Sequence, residues 1–168
     1  AATHSANAVV SETWTVRDTG RTNATKYSFE KFNFDGNDKF IVVDGANDPT
    51  VFNTSLAATD VTASSVEGAK HVVAFKNHMF YSGMSSTPQE VVFSQPFDED
   101  AFDSGSGAGS IKIDDTIVGL KVFRDNLFIF CENRIFQITG SSSSDFAVKP
   151  VTRNIGCING DTIQEFAG

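Results

Sequence analysis

The acidic stretch over residues 98–115 holds the side chains that could most readily bind a metal ion. Its carboxylates are Asp98, Glu99, Asp100, Asp103, Asp114 and Asp115. Carboxylate oxygens are ligands that Ca²⁺ prefers, but a calcium-binding loop places them at alternating positions around a glycine. Here Ala101 and Phe102 interrupt the series. The stretch therefore predicts a solvated acidic loop, and we expect no metal ion or other cofactor.

The three histidines, His4, His71 and His78, lack the spacing of a metal site or a proton-transfer site. The chain also has no nucleophile elbow, P-loop or dinucleotide-binding sequence. A pair of carboxylates could hydrolyse a glycoside across a cleft, but the sequence singles out no such pair. We therefore expect structural or solvent-exposed histidines and no enzymatic activity.

Cys131 and Cys157 are the two cysteines of the chain. Two cysteines without a secretory signal are more often free thiols than a disulfide, although spacing cannot decide the pairing. We expect free thiols, with a disulfide as the alternative. No apolar run reaches the roughly 18–20 residues that a membrane-spanning helix needs, so no membrane segment is expected.

The composition favours strands over helices. The chain has sixteen Phe against two Tyr and one Trp, and Phe and Val suit the pleated surface of a sheet. Alanine and leucine never recur with the 3.6-residue period of a helix. The formal net charge of −8 disfavours binding to nucleic acid through a basic patch, although DNA could pass nearby.

One pattern of β-rich runs joined by short polar turns occurs three times, over residues 28–53, 70–94 and 116–140. When the apolar runs are aligned on Phe40, Phe80 and Phe128, they repeat after 40 and then 48 residues. A period of about 40–50 residues with three or four strands per unit is typical of a β-propeller. The central apolar run of each unit is predicted to be an inner strand that is buried on both faces.

These repeats predict an all-β chain of consecutive antiparallel blades, or a partial β-propeller. The approximate blades span residues 12–56, 70–103 and 111–155, and a further blade starts at 156–168. Because propellers usually close with about four to eight blades, we expect residues 1–168 to be a single β-rich region of a longer chain. The alternative is one β-sandwich of about ten strands.

The acidic and Gly/Ser-rich stretch at residues 95–115 interrupts the repeats and predicts an exposed loop. It is also the candidate contact region with partner proteins. Its candidate interaction residues are Phe97, Asp98, Glu99, Asp100, Phe102 and Asp103.

The second and third repeats resemble the tail nozzle (tail tubular) proteins of short-tailed bacteriophages and related virion structural proteins. In the second repeat the resemblance is carried by Phe75, Phe80, Gly83, Pro88, Val91, Val92 and Ser94. In the third repeat, Gly156 and the pair Asn159-Gly160 match the corner into the following blade. The resemblance covers residues 70–166, and members of that family are far longer than this chain.

The resemblance implies a non-enzymatic structural component of a virion tail, assembled around the DNA path in the host cytoplasm. Its expected partners are other copies of itself in a ring and other tail or adaptor proteins. The alternative is a carbohydrate-binding or glycan-hydrolysing propeller module of a receptor-binding tail protein. Such sites use aromatic platforms, and Trp14, Tyr27 and Tyr81 are the only Trp and Tyr residues.

Overall fold

The computed structural model describes residue 16, residues 18–24 and residues 26–165. These residues form an all-β structure with two short 3-10 helices, at Ser104–Ser106 and Gly160–Thr162. The prediction of an all-β chain built from consecutive antiparallel sheets is confirmed. Within the described residues, no helix has the length and apolar character needed to cross a membrane.

Twelve strands in this part of the chain form three antiparallel sheets of four strands each. Sheet 1 contains β1 (Ser28–Phe32), β2 (Lys39–Val43), β3 (Thr50–Phe52) and β4 (Ala58–Asp60). Sheet 2 contains β5 (His71–Phe75), β6 (His78–Ser82), β7 (Glu90–Phe93) and β8 (Gly109–Lys112). Sheet 3 contains β9 (Ile117–Phe123), β10 (Asn126–Cys131), β11 (Ile135–Thr139) and β12 (Ala147–Thr152).

Each sheet is a simple meander in which every strand pairs with the next one along the chain. The first strands of the three sheets also lie side by side, because β1 contacts β5 and β5 contacts β9. Sheet 2 therefore lies between sheets 1 and 3. Sequential four-stranded meanders with adjacent first strands are consistent with the blades of a propeller, and each neighbouring pair also packs face to face as in a sandwich.

Two hydrophobic cores hold the stack together, one on each face of sheet 2. Because side chains alternate across a strand, β6 sends Met79 and Tyr81 to sheet 1 and Phe80 to sheet 3. The core between sheets 1 and 2 includes Phe32, Ile41, Val43, Val51, Val72 and Val92. The core between sheets 2 and 3 includes Phe75, Phe93, Leu127, Ile129, Phe136 and Ile138.

Tight turns set the register of the first hairpin in sheets 2 and 3. Lys76 and Asn77 have φ values of 48° and 64°, and Arg124 and Asp125 have 46° and 61°. Two consecutive residues with positive φ match the type I′ turn, whose twist suits a two-residue hairpin. The polar turns of the sequence repeats therefore join the first and second strands of these sheets.

The strands predicted to be inner strands are β2, β6 and β10, the second strands of their sheets. The expected burial on both faces is found in β6 alone. All five residues of β6 are buried, whereas β2 and β10 bury alternate residues. The reason is that sheets 1 and 3 each have a packed neighbour on one side. When residues are counted from the turn between the first two strands of each sheet, Ile41 is equivalent to Phe80. The alignment of the sequence repeats on Phe40 is therefore one residue out of phase.

After β12 the chain returns to the first strand of sheet 3. The Cys157 amide donates to the Cys131 carbonyl at 2.8 Å, and the 3-10 helix at Gly160–Thr162 contacts β9. The further blade expected from residue 156 has no strand up to residue 165, and residues 166–168 lie outside the described residues. Most of the strand expected near residues 12–20 also lies outside them.

Candidate functional site

The first strands of the three sheets line a polar groove, which we call the axial groove. It has a volume of about 290 Å³, and its ionisable side chains are Lys26, Glu30, His71, Lys121 and Asp161. β1, β5 and β9 are each the edge strand of their sheet at this point, so their outer backbone groups have no strand partner among the described residues. The groove is the place where all three sheets contribute polar side chains.

His71 is the most strongly perturbed base of the axial groove. Burial lowers the pKa of His71 from 6.5 to about 4, and the positive charges of Lys26 and Lys70 add to this effect, while Asp161 opposes it. A half-buried imidazole with nearby cations loses stability when it gains a proton. His71 is therefore neutral at physiological pH.

We expect His71 to make the fold less stable as the pH falls from 6.5 towards 4. In that range the unfolded chain binds a proton that the folded chain does not, so the free energy of unfolding decreases with falling pH. Two-dimensional NMR of the imidazole should give a midpoint near 4. His71→Asn should lose this part of the pH dependence, and a midpoint near 6.5 would contradict the burial of His71.

The carboxylates of the axial groove are each matched by a cation. Burial is the main cause that raises the pKa of Glu30; the Ala74 amide donates to its Oε1 at 3.4 Å, and Lys121 partly offsets the rise. Asp161 Oδ1 lies 2.5 Å from Lys26 Nζ. No group of three His, Cys, Asp or Glu side chains in the described part of the chain could hold a metal ion. The groove is polar but electrically balanced.

The predicted contact loop is divided between the surface and the interior. Phe97 is 58% exposed, and Asp103 caps the 3-10 helix by accepting from the Gly105 amide. Asp98 and Asp100 lie close together, and their hydrogen bond raises the pKa of Asp100, as does burial. The surface residues of the loop remain candidates for a partner contact.

Glu99 and Phe102 of the same loop connect sheets 1 and 2. Glu99 Oε1 lies 2.9 Å from Lys39 Nζ, and the Tyr81 hydroxyl donates to the Glu99 carbonyl at 2.6 Å. The ring of Phe102 packs 5.7 Å from that of Tyr81. Glu99 is buried, so its carboxylate stabilises this internal contact. The acidic composition of the loop did not indicate this role.

The remaining acidic residues of the stretch stabilise a hairpin. Asp115 is buried and accepts from the Thr116 and Asn133 amides at 2.9 Å. Asp114 Oδ2 lies 2.6 Å from Arg134 Nη1. Both residues therefore join the start of β9 to the turn before β11, well away from the surface carboxylates of the contact loop.

His78 and the two cysteines have structural surroundings. His78 is buried, its Nδ1 lies 2.7 Å from the Ser94 carbonyl, and its ring packs against Phe93. His78 is a structural histidine, as expected. Cys131 and Cys157 are free thiols, and burial raises the pKa of Cys131 to about 12, so that its thiol is protonated.

Among the described residues, two sheet faces at the ends of the stack have no neighbouring sheet. The open face of sheet 3 carries Phe123, Phe128, Phe130, Ile135, Lys121 and Lys149. The open face of sheet 1 carries Phe29, Phe40, Val42, Phe52, Lys31 and Asp60. Exposed apolar sheet faces are expected for an incomplete propeller, but the sequence did not single out these residues, because β10 (NLFIFC) is apolar along its length and only its burial alternates.

An apolar groove of about 370 Å³ lies on the open face of sheet 3. Phe123, Phe128 and Phe130 form its floor, and Ile163–Glu165 lie at its inner rim. On the open face of sheet 1, the rings of Phe40 and Phe52 stack with centroids 4.8 Å apart, and Phe29 is 75% exposed. Both ends of the stack therefore present aromatic side chains.

Arg21 lies over the outer part of the open face of sheet 1, where it contacts Thr50 and Asp60. The guanidinium of Arg21 contacts the carboxylates of Asp18 at 3.0 Å, Asp60 at 3.3 Å and Asp44 at 3.7 Å. Three carboxylates around one cation leave a net negative charge there. Lys121 and Lys149 on the open face of sheet 3 have no ion pair within 4 Å among the described residues.

No protein-family model matches the chain, and no curated protein matches it in sequence.

Proposed function

We propose that this chain is a non-enzymatic structural component of a bacteriophage virion tail, of the nozzle or tail-tube adaptor type, acting by subunit assembly around the DNA path. The observation that carries the proposal is the stack of three sheets with an aromatic face open at each end. Contiguous apolar faces on a protein surface usually mark sites of association. Assembly with neighbouring subunits buries both faces.

The charge distribution supports a wall along the DNA path better than a DNA-binding site. The formal net charge is −8, which repels phosphates. Along the axial groove, Lys26 pairs with Asp161 and Lys121 is balanced by Glu30, so the inner strands have no basic stripe. The proposed partners are other copies of the chain in a ring and other tail or adaptor proteins, and the proposed location is the virion.

Analysis of purified phage particles from the source of the chain tests this proposal. We expect peptides of the chain in multiple copies per particle, and gold-labelled antibody at the tail in electron micrographs. The matched control is the same antibody on particles of an unrelated phage. Recovery of the chain only in the soluble fraction of the lysate, with none in purified particles, would contradict the proposal.

A further inference from the structure

The open faces of sheets 1 and 3 are equivalent to the two kinds of face that pack together where neighbouring sheets meet in this chain. In sheet 2, the face with Met79 and Tyr81 packs on the preceding sheet and the face with Phe80 packs on the following sheet. Counting from the hairpin turns, Phe40 and Val42 correspond to Met79 and Tyr81, whereas Phe128 corresponds to Phe80. The open face of sheet 1 is therefore the kind that packs on a preceding sheet, and the open face of sheet 3 is the kind that packs on a following sheet.

Both open faces carry aromatic residues at positions that are buried between the sheets, together with one lysine in the first strand of each, Lys31 and Lys121, where sheet 2 has Ala74 and Val73. Phe29 in β1 corresponds to Val72 in β5, which is buried against sheet 1. Phe123 in β9 corresponds to Phe75 in β5, which is buried against sheet 3. An open face with aromatic residues at these positions can continue the stack by the same packing.

The charges of the two faces are opposite at their outer strands. Lys149 in β12 is exposed on the open face of sheet 3 without an ion pair in the described chain. Asp60 in β4 lies on the open face of sheet 1, in the net negative cluster around Arg21. Because the first strands of neighbouring sheets lie side by side, a sheet that packs on sheet 3 in the same way has its fourth strand, the equivalent of β4, on the same side of the contact as Lys149.

We propose that the open face of sheet 3 binds the open face of sheet 1 of a second copy of this chain, head to tail. Two such contacts join two chains into a closed ring of six sheets, a number within the usual range of about four to eight for propellers. The contact is heterologous, and such contacts form a ring when the rotation closes. Ile163–Glu165 line the inner rim of this contact. The inference rests on the assembly role proposed above and names its first partner.

Light scattering after size-exclusion chromatography of the full chain tests the inference at fixed protein concentration. We expect the mass of two chains, where one chain has 18.1 kDa. The single variants Phe29→Asp and Phe128→Asp each destroy both contacts of the homodimer, so each should be a monomer. The control Ile158→Asp changes an exposed apolar residue that lies outside the strands of both faces, and it should remain a dimer.

Mixing the two monomeric variants distinguishes a head-to-tail contact from a symmetric one. The Phe29→Asp chain keeps an intact sheet 3 face and the Phe128→Asp chain keeps an intact sheet 1 face, so the mixture should form a dimer with one good contact. Should either variant fail to fold by circular dichroism, Lys149→Glu on the exposed strand should raise the dimer dissociation constant roughly tenfold at low salt.

A wild-type monomer, a multimer of three or more chains, or a mixture of folded variants that stays monomeric would each overturn the inference. A dissociation constant unchanged by Lys149→Glu would do the same when a phenylalanine variant does not fold. These results are separate from the virion analysis, because a chain that is monomeric alone can still be found in purified particles. Its absence from particles would contradict the tail function and leave the measured dimer standing.

Discussion

Replacing Phe80 by alanine is expected to lower the free energy of unfolding by about 3–5 kcal/mol. Phe80 is fully buried between sheets 2 and 3, and its ring centroid lies 5.3 Å from that of Phe93 and 5.8 Å from that of Phe75. Alanine removes the apolar contacts and leaves a cavity that the strands cannot fill. Because Phe80 lies in the middle sheet, the loss loosens the whole stack.

Urea unfolding followed by circular dichroism measures this effect, with wild type and variant at the same protein concentration. Phe97→Ala is the matched control, because it removes the same atoms from an exposed position and should change the free energy of unfolding by less than about 0.5 kcal/mol. Equal losses for the two variants would show that Phe80 does not lie in a packed core.

Replacing Lys39 by methionine is expected to lower the free energy of unfolding by about 2–3 kcal/mol. The Lys39 ammonium lies 2.9 Å from Glu99 Oε1 and 3.3 Å from Asp35 Oδ2, and the Glu99 side chain is 10% exposed. Methionine keeps most of the apolar stem but leaves the Glu99 carboxylate without its partner in a buried position. Such a charge loses more by desolvation than a surface charge does.

Lys31→Met provides the control within the same sheet. The Lys31–Asp38 pair is open to solvent on both sides, with side chains 72% and 53% exposed, so its loss should cost less than about 0.5 kcal/mol. The same urea titration compares the two variants. A Lys39→Met variant that is as stable as Lys31→Met would mean that Glu99 does not connect sheets 1 and 2.

The strands could be predicted from the sequence because their signals are local. The turn pairs Lys76-Asn77 and Arg124-Asp125 have the positive φ values that a two-residue hairpin needs. The apolar runs between the turns became β2, β6 and β10. Turn chemistry and β-propensity act over a few residues, and both are visible in the printed sequence.

The sequence could not predict which strands line the axial groove, because hydrophobicity does not determine the order of strands within a sheet. The longest apolar runs are the second strands, which have a strand on both sides. The first strands β1, β5 and β9 alternate with polar residues such as Glu30 and Lys121, which line the axial groove. The chain therefore buries its most apolar strands near the middle of each sheet and places more polar strands along the axial groove.

The Glu99–Lys39 contact depends on long-range packing, and so does the position of the two open faces. Lys39 and Glu99 are 60 residues apart in the chain, and a run of acidic residues gives no sign that one of them turns inward. Leu127–Cys131 is apolar at every position, so the sequence does not show that Phe128 and Phe130 lie on one face of sheet 3 and Leu127, Ile129 and Cys131 on the other.

A cryo-electron microscopy map of the native assembly that contains the chain would show what packs against its two open faces. We predict four-stranded sheets arranged around an axis, with β1, β5 and β9 innermost and another sheet packed on each open face. Phe40 and Phe128 should then be buried against neighbouring side chains. A map in which both residues face solvent, with the three sheets standing alone, would contradict the account.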